Sequence, residues 1–453
     1  MLCACVWRGS IPALDVSSLP EMMKGERMKG SFRSTKRIML LGVWVSILLG
    51  PSHAVDAQQR KRSKPAGKPQ ISAPDSRFDS GQSALKIPFD LLNNLVLLPV
   101  RVNGSQPLWF ILDVGATSSV INTRLVKELG LRTKGKVKGS SGRGAIEVDL
   151  VPGLSFALPG VTVFNLTVGS ISLDPFAPVL GRAIGGIIGY DLISQFTVEI
   201  DYEDKTINLY TPAGYQYAGA GDRLPIKFLD KQPFIDALIT VEGRAPVKGK
   251  FAVSTASSGA LLLNRPFVEA HQLLKTVTKT SLGNTGGVGG LTRTLVGRVK
   301  NIRVGRFGID NPIVSFSQAT EGEQAGAAYD GVLGGEVFRR FKLILDYSRR
   351  QIILEPNAHL PEAVEEDMSG LEFIAEGEDF GTYIINEIIP NSPAAEAGFQ
   401  EEDELTEIDG RRVAELGPEQ IRRMFMREGK EYLLSIRRGE QKVQVKIKLR
   451  RLR

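Results

Sequence analysis

An internal repeat constrains this chain more than any other feature of its sequence. The segment GGIIGYDLISQFTVEIDYEDKTINLY, residues 185–210, returns as DGVLGGEVFRRFKLILDYSRRQIILE, residues 330–355. Asp201 then matches Asp346, 145 residues further on. Two halves of similar length and similar structure are therefore expected.

A second pair of segments extends the match toward the start of each half. LWFILDVGATSSVINTR, from Leu108, aligns with GKFAVSTASSGALLLNR, from Gly249, and places Asp113 on Ser254, 141 residues away. In each segment an apolar, strand-like run ends abruptly in a polar residue followed by small residues. The same local structure is therefore predicted twice.

Glycine-rich loops follow these segments in both halves, SSGRGA at 140–145 and GNTGGVGG at 283–290. A phosphate-binding loop would end in Lys followed by Ser or Thr, and neither loop does. Duplication of one β lobe explains the order and spacing of all these correspondences. Short apolar runs separated by Gly, Pro, Asn and Asp predict a mainly β protein.

The arrangement resembles the aspartic proteases, in which a strand leads to Asp-Thr/Ser-Gly and an apolar-apolar-Gly turn follows later. Here IIGYDLI is especially similar to the retroviral-type members, and the resemblance covers both halves. It implies two homologous lobes, 84–215 and 216–357, each contributing one catalytic loop. In the family the two aspartates share one proton, because carboxylates about 3 Å apart do not both ionise cheaply.

Both catalytic loops depart from the family pattern. The first reads Asp113-Val114-Gly115, with Val in place of the middle hydroxyl residue, and the second reads Ser254-Thr255-Ala256, with Ser in place of Asp. Only Thr255 retains the hydroxyl that bonds across the lobe boundary in the family. Without a second carboxylate, Asp113 is expected to be ordinarily ionised at neutral pH.

Loss of one acid predicts impaired peptide hydrolysis, since general acid–base catalysis contributes about 10² to 10⁴ in rate. The first hypothesis is therefore a protein that binds extended polypeptide with a degenerate site. The alternative is an active endopeptidase using Asp113 with a non-standard partner. A third is that the lobes are a structural spacer.

Other chemistries fit less well. Beyond residue 57 the only histidines are His271 and His359, so a serine triad or zinc site is not expected, and neither is a cofactor. Asp191 and Glu336 occupy equivalent repeat positions and are interpreted as polar caps of short helices. The glycine loops are interpreted as flap tips, which by the resemblance cover an extended peptide; their flap residues are Gly142, Gly144, Gly286 and Gly287.

A separate α+β module is predicted at 366–453. Its segment GTYIINEIIPNSPAAEAGFQEEDELTEIDG, residues 381–410, resembles a PDZ domain in the bacterial strand order. The resemblance implies a groove that takes protein C-termini or internal peptide segments, and both remain open because Glu372 and Glu402 stand where glycine is usual. The implied groove residues are Gly370, Leu371, Glu372, Phe373, Ile421 and Phe425.

The start of the chain resembles an export signal. From Met28, a better start than Met1, basic residues precede a 13-residue apolar run, 38–50, and small residues then predict cleavage near Ala54 or Ala57. The run is shorter than the roughly 20 residues of a spanning helix, so no stable membrane span is expected after cleavage, although a retained anchor stays open. A periplasmic or secreted location follows.

The remaining composition limits the partners. Both cysteines, Cys3 and Cys5, precede the predicted signal, so the exported chain would form no disulfide. A polar, Pro-rich leader is predicted at 58–83, and its basic residues account for most of the remaining positive charge. The folded part is near neutral, and nucleic-acid binding is not expected. Polypeptides are the expected partners.

Overall fold

A computed structural model describes residues 48–49, 75–141, 144–277, 279–287 and 290–452. Within those ranges, no helix is long and apolar enough to cross a membrane. Strands dominate, as the sequence predicts, and the buried apolar residues form a large core shared by the two lobes and a separate core in the C-terminal module.

The first lobe contains a twisted sheet whose central strands are short and fully buried. Asn122 caps the first helix, where its side chain accepts a hydrogen bond from the Arg124 N–H at 3.3 Å. The elements in chain order are β1 (Leu48–Leu49), β2 (Asp75–Phe78), β3 (Ser83–Pro88), β4 (Asp90–Leu92), β5 (Leu95–Val102), β6 (Leu108–Leu112), β7 (Val120–Asn122), α1 (Thr123–Glu128), β8 (Lys136–Ser141), β9 (Gly144–Leu158), β10 (Val161–Ile171), α2 (Ala177–Leu180), β11 (Gly186–Ile188), α3 (Tyr190–Ile193), β12 (Thr197–Asp201) and β13 (Thr206–Tyr210).

The second lobe repeats this plan. Its elements are β14 (Asp222–Pro225), β15 (Lys227–Leu229), β16 (Gln232–Thr240), β17 (Val247–Val253), β18 (Leu261–Leu263), α4 (Arg265–Ala270), β19 (Thr280–Gly287), β20 (Gly290–Arg298), β21 (Asn301–Val304), β22 (Phe307–Asp310), β23 (Ile313–Ser317), β24 (Gly331–Leu333), α5 (Gly335–Phe338), β25 (Phe341–Asp346) and β26 (Gln351–Pro356).

Equivalent strands occupy equivalent places in the two lobes. The strand order β8-β9-β10-β7-β11-β6-β5 in the first lobe corresponds to β19-β20-β23-β18-β24-β17-β16 in the second. In both, the strand that leads to the catalytic loop pairs in parallel with the strand of the later glycine turn, β6 with β11 and β17 with β24. The repeat in the sequence therefore corresponds to a repeat in the structure.

A third sheet joins the lobes. Its order is β14-β26-β25-β12-β13-β3, and strands β12 and β25, one from each half, pair antiparallel along their full contact. Because this sheet contains strands of both halves, the two lobes share one apolar core. The two catalytic loops are consequently held in a fixed relation.

The C-terminal module is a five-stranded sheet with an additional short strand and two helices. Gly417 has φ of +72° and breaks the longer helix just before Pro418, so Pro418 begins the regular part of that helix. The elements are β27 (Leu371–Glu376), β28 (Thr382–Ile388), α6 (Pro393–Glu396), β29 (Glu404–Ile408), β30 (Arg411–Arg412), α7 (Val413–Phe425), β31 (Glu431–Arg438) and β32 (Gln441–Lys448).

The predicted leader at 58–83 is partly wrong. Residues 75–78 form β2, which pairs antiparallel with β10, and the Phe78 ring meets the Phe196 ring edge-on at 5.6 Å. The strand pairing and the Phe78 contact are both long-range, so local composition does not reveal them. Of the predicted signal, only Leu48 and Leu49 lie among the described residues, and they pair with β8.

Candidate active site

The two catalytic loops leave the ends of β6 and β17 in the same way. The Asp113 N–H donates to the Ile188 carbonyl at 2.9 Å, and the Ser254 N–H donates to the Leu333 carbonyl at 3.1 Å. Each loop is thus fixed by the strand that precedes its glycine turn. The short parallel pairing brings a polar side chain from each lobe to the boundary between the lobes.

Asp113 and Ser254 meet there directly. The Ser254 hydroxyl donates to Asp113 Oδ1 at 2.9 Å. Each of these side chains also accepts a hydrogen bond from the N–H two residues later: Gly115 donates to Asp113 Oδ1 at 2.9 Å, and Ala256 donates to Ser254 Oγ at 3.2 Å. The serine therefore occupies the place of a second carboxylate.

Burial determines the charge of this carboxylate. Asp113 and Ser254 are both fully buried. Burial raises the pKa of Asp113 from 3.8 to about 7, although the hydrogen bonds from Gly115 and Ser254 oppose the shift. Asp113 Oδ2 has no hydrogen-bond partner among the described residues. The expectation of an ordinarily ionised Asp113 is wrong. It took account of the missing second carboxylate, whose charge would raise the pKa, but not of burial, which raises the pKa by removing water.

Of the two middle residues of the catalytic loops, only Thr255 makes side-chain hydrogen bonds across the lobe boundary. Thr255 Oγ1 donates to the Leu112 carbonyl at 2.5 Å and accepts from the Val114 N–H at 3.2 Å. Val114 has no hydroxyl to return these bonds to the second lobe. A second contact involves its carbonyl oxygen, which accepts a hydrogen bond from the Tyr347 hydroxyl at 3.0 Å.

Gly115 is required by the close approach of the lobes. A Cβ atom at this position would lie 2.7 Å from the Val253 carbonyl oxygen and 3.2 Å from Ser254 Cβ. Neither atom belongs to a flexible side chain that could move aside. Ala256, at the equivalent position of the second loop, is fully buried and packs in an apolar cluster of the first lobe.

The acids after the glycine turns lie in the first turns of the short helices, as predicted, although the N-cap residues themselves are Gly189 and Gly334. Asp191 Oδ1 accepts from the Leu192 N–H at 3.0 Å in that turn. Asp191 also accepts from the Ser119 N–H and hydroxyl, and Glu336 binds Arg339 and Arg340. Asp191 thereby fixes the segment that follows the first catalytic loop. The sequence alone did not indicate this contact, because Ser119 and Asp191 are far apart along the chain.

The glycine loops lie at the tips of two β-hairpins. Strands β8 and β9 pair up to Ser141 and Gly144, and β19 and β20 pair up to Gly287 and Gly290. Gly286 lies next to the second tip, opposite Leu291. The remaining predicted flap residue, Gly142, lies outside the described residues.

The predicted groove residues of the C-terminal module lie in two different places. Leu371, Glu372 and Phe373 line a cavity of about 180 Å³, together with Arg422 of α7 and Met426, which follows that helix. Ile421 and Phe425 are fully buried in the core of the module instead. The helical spacing correctly grouped Ile421 with Phe425, but that face points into the core.

Two other positions of the module have the left-handed backbone that favours glycine. Glu402, where the resemblance leads one to expect glycine, has φ of +72°. Gly370 has φ of +76°, and a Cβ there would lie 2.1 Å from Ser392 Oγ. The Leu371 N–H, in the loop expected to hold a chain end, already donates to Ser369 Oγ at 3.0 Å.

Together, the strand repeat and the paired loops define a two-lobed protein of the aspartic-protease class, with a PDZ module at its C-terminus. The family model described as "Aspartyl protease" matches residues 98–192, and the model described as "PDZ domain" matches residues 384–438. The chain therefore contains an aspartyl-protease domain and a PDZ domain.

Comparison with other proteins gave two further findings. Among solved structures, the crystal structure of Basic 7S globulin from soybean is similar with a TM-score of 0.36 and 10% sequence identity, over 61% of this chain and 95% of that chain. No curated protein matches the chain.

Sequence reasoning overlooked Tyr347. Its signal was present, since Asp201-Tyr202 and Asp346-Tyr347 are equivalent in the repeat. The Tyr347 ring stacks on Tyr190 at 5.7 Å between centroids, and this contact aims its hydroxyl at the first catalytic loop. The sequence does not show which of the two equivalent tyrosines, Tyr202 or Tyr347, lies next to a catalytic loop.

Proposed function

We propose that this protein binds extended polypeptide and hydrolyses it weakly or not at all. The observation that supports this most directly is the hydrogen bond from the Ser254 hydroxyl to Asp113 Oδ1 at 2.9 Å. In an aspartic dyad one carboxyl is the base that activates water and the other is the acid that polarises the scissile carbonyl. A serine hydroxyl is too weakly acidic for the second role.

The surroundings of Asp113 support the same conclusion. Burial, and not a neighbouring acid, raises its pKa, and the groups that act on it among the described residues are hydrogen-bond donors. A buried carboxyl that is half-protonated near pH 7 can exchange a proton with water that reaches it. Within the described part of the chain, no second carboxyl acts on it with which to complete a hydrolytic cycle.

The lobes and the PDZ domain supply two surfaces suited to peptides. The hairpins β8–β9 and β19–β20 present glycine-rich tips, which in this class of fold close over a bound strand. The PDZ domain contains β27, an edge strand whose outer edge pairs with no other described strand, and an edge of this kind is where a peptide strand is added in PDZ domains. Peptide binding without turnover is the function that these features favour.

The test is to incubate the full chain with a reduced, alkylated polypeptide between pH 3 and pH 8 and to analyse fragments by mass spectrometry. Binding of labelled peptides from the same polypeptide is measured in parallel by fluorescence anisotropy. We expect binding without fragments above those seen with Asp113→Asn. Cleavage that Asp113→Asn abolishes would establish the alternative, an active endopeptidase using Asp113, and absence of binding would refute the peptide-binding proposal.

We also propose that the protein is exported to the periplasm or secreted. The support is the basic stretch followed by a 13-residue apolar run and small residues up to Ala57. N-terminal sequencing of the protein purified from its own cells should find a start near residue 55 or 58. A start at or before Met28 would contradict cleavage.

A further inference from the structure

The ligand groove of the PDZ domain lies against the first lobe. The groove is the channel between β27 and α7, and a segment of the first lobe, Val179 to Gly181, lies across it. Arg422 on α7 donates to the Val179 carbonyl at 3.0 Å. A Cβ atom on Gly181 would lie 2.8 Å from Pro418 on α7 and 3.7 Å from Ala375 on β27. The segment thus contacts both walls of the groove.

A second contact fixes the start of the α7 wall. The Glu419 carboxylate accepts a hydrogen bond from the Asn93 N–H at 2.8 Å. Asn93 lies in the tight turn between β4 and β5 of the first lobe. The adjacent Asn94 side chain donates to the Ser258 carbonyl at 2.9 Å, four residues after Ser254. One turn of the first lobe therefore contacts both the PDZ helix and the second catalytic loop.

The connection between the second lobe and the PDZ domain is also fixed. Arg340 is fully buried, and its guanidinium donates to the carbonyls of His359, Leu360 and Glu362 at 2.6 to 3.1 Å. Arg298 adds a hydrogen bond to the Val364 carbonyl at 2.8 Å. The PDZ domain is thus docked on the lobes and is not suspended from a free linker.

Docking leaves a partly open cavity between the groove and the second lobe. The cavity of about 180 Å³ has PDZ residues on one side, including Phe373 and Met426, and second-lobe residues on the other, including Ala260 and Leu261. The Arg422 guanidinium also crosses the groove, with its central carbon 5.1 Å from the centre of the Phe373 ring. An extended peptide needs the whole edge of β27, and here the first lobe covers part of it.

We infer that the docked PDZ domain is self-blocked: the Val179–Gly181 segment and an extended peptide compete for the groove between β27 and α7. A peptide that binds there selects an undocked state, so its apparent affinity falls by the fraction of molecules that are undocked. This inference rests on the proposed peptide binding, but the docking itself is measurable without any peptide.

Gly181→Ala is the variant expected to weaken the contact between the first lobe and the PDZ domain. The added Cβ meets Pro418 at 2.8 Å, a contact that real Cβ atoms do not make. Gly130→Ala is the matched control, because Gly130 has φ of +61° against +62° for Gly181 and its Cβ would meet nothing within 4 Å. Both variants carry the same left-handed backbone strain, and only Gly181→Ala disturbs the contact.

Hydrogen exchange of the full chain measures docking. Exchange in β27 and in residues 417–425 should be about fivefold faster in Gly181→Ala than in Gly130→Ala, since about 1 kcal/mol of lost docking changes the equilibrium by that factor. Exchange in β31 and β32 should be alike in both. Equal exchange in β27 and α7 would overturn the inference.

Glu419→Ala gives an independent test that leaves the first lobe unchanged. It removes the acceptor for the Asn93 N–H together with an ion pair to Arg423 on the same helix. Glu415→Ala is its control, since among the described residues Glu415 likewise has an ion pair with a nearby arginine, the exposed Arg412. Faster exchange in β27 is expected for Glu419→Ala alone. If neither Gly181→Ala nor Glu419→Ala differs from its control, the surfaces do not restrain the groove.

Peptide probes test the competition. Two pools of labelled decapeptides ending in Val, Leu or Phe are used, one with a free and one with an amidated C-terminus, because the cavity is lined by apolar residues and also by acids such as Asp367. Binding to Gly181→Ala should be about fivefold tighter than to the wild type or Gly130→Ala. Equal affinity, or no binding to a variant whose exchange shows release, would overturn the self-blocking. Failure of the peptide-binding proposal would show separately, as absence of binding in the anisotropy assay with peptides of the unfolded polypeptide.

Discussion

The two catalytic loops have nearly the same backbone and opposite chemical roles. The first contributes the carboxylate, Asp113, and a Val114 that has no hydroxyl to donate. The second contributes no carboxylate, but its Ser254 and Thr255 hydroxyls both reach across to the first loop, at 2.9 Å to Asp113 Oδ1 and 2.5 Å to the Leu112 carbonyl. One lobe holds the acid and the other holds the donors.

This division shows how a symmetric fold can lose a symmetric function and keep its geometry. In a matched pair each loop would give and receive the same hydrogen bonds. Here the side-chain donors belong to the second loop, and the first loop donates in return only through the Val114 N–H, so the loops remain joined although the shared proton of a dyad has gone. The arrangement of the loops depends on hydrogen bonds, and a hydroxyl supplies these as well as a carboxyl does. Hydrolysis depends on a second acid, which a hydroxyl does not replace.

The equivalent tyrosines repeat the asymmetry. The Tyr347 hydroxyl of the second half donates to the Val114 carbonyl at 3.0 Å. The Tyr202 hydroxyl, its counterpart in the first half, is buried without a hydrogen-bond partner among the described residues. The three side-chain donors that reach the first catalytic loop across the lobe boundary thus come from the second half.

Restoring the acid should give the largest effect. Ser254→Asp combined with Val114→Thr places a second carboxyl opposite Asp113 and returns the hydroxyl of the first loop. Because two close carboxylates share a proton, one can act as acid and the other as base. Cleavage of a reduced, alkylated polypeptide below pH 6 should rise by about 10² or more over the wild type, measured as the initial rate of fragment release.

The control for this gain is Ser254→Asn with Val114→Thr. Asparagine has the size and shape of aspartate but does not titrate, so it adds the same volume to the buried site. Equal cleavage by the two double variants would show that the missing second acid is not what limits hydrolysis. The same conclusion would follow if neither exceeded the wild type while both remained folded by circular dichroism.

The sequence predicted the repeat, the loop positions and the replacement of the second acid, since these depend on residues in matched order. It did not predict the state of Asp113, because desolvation depends on everything packed around the loop. It also did not predict the docking of the PDZ groove. That contact joins Val179 to Arg422, which are 243 positions apart, and the sequence of neither segment indicates that the two are in contact.

The pH dependence of stability tests the buried acid. The pKa of Asp113 in the folded protein is about 7 against an ordinary 3.8, so its contribution to stability is complete below pH 4 and is lost as pH rises toward 7. Asp113→Asn should remove this loss. Its stability relative to the wild type should increase between pH 4 and pH 8 by up to about 4 kcal/mol, from about 1.4 kcal/mol per pKa unit, measured by urea unfolding.

Asp236→Asn is the control for this titration. Its partner Lys248, with the two groups 2.9 Å apart, lowers the pKa of Asp236, so its contribution is lost only as pH falls below its ordinary 3.8. The difference between Asp236→Asn and the wild type should therefore be flat from pH 5 to pH 8. A flat profile for Asp113→Asn as well would mean that Asp113 is ionised in the folded protein.

The smallest expected effect separates the equivalent tyrosines. Tyr347→Phe removes one buried donor and leaves the Val114 carbonyl with one fewer hydrogen bond, which should cost about 1 kcal/mol. Tyr202→Phe removes a buried hydroxyl that has no partner among the described residues, so it should be neutral or slightly stabilising. Both changes leave an aromatic ring of the same shape, and thermal unfolding of the two variants isolates the hydroxyl. Equal losses would mean that the Val114 contact contributes nothing specific, and that the second half stabilises the first catalytic loop through Ser254 and Thr255 alone.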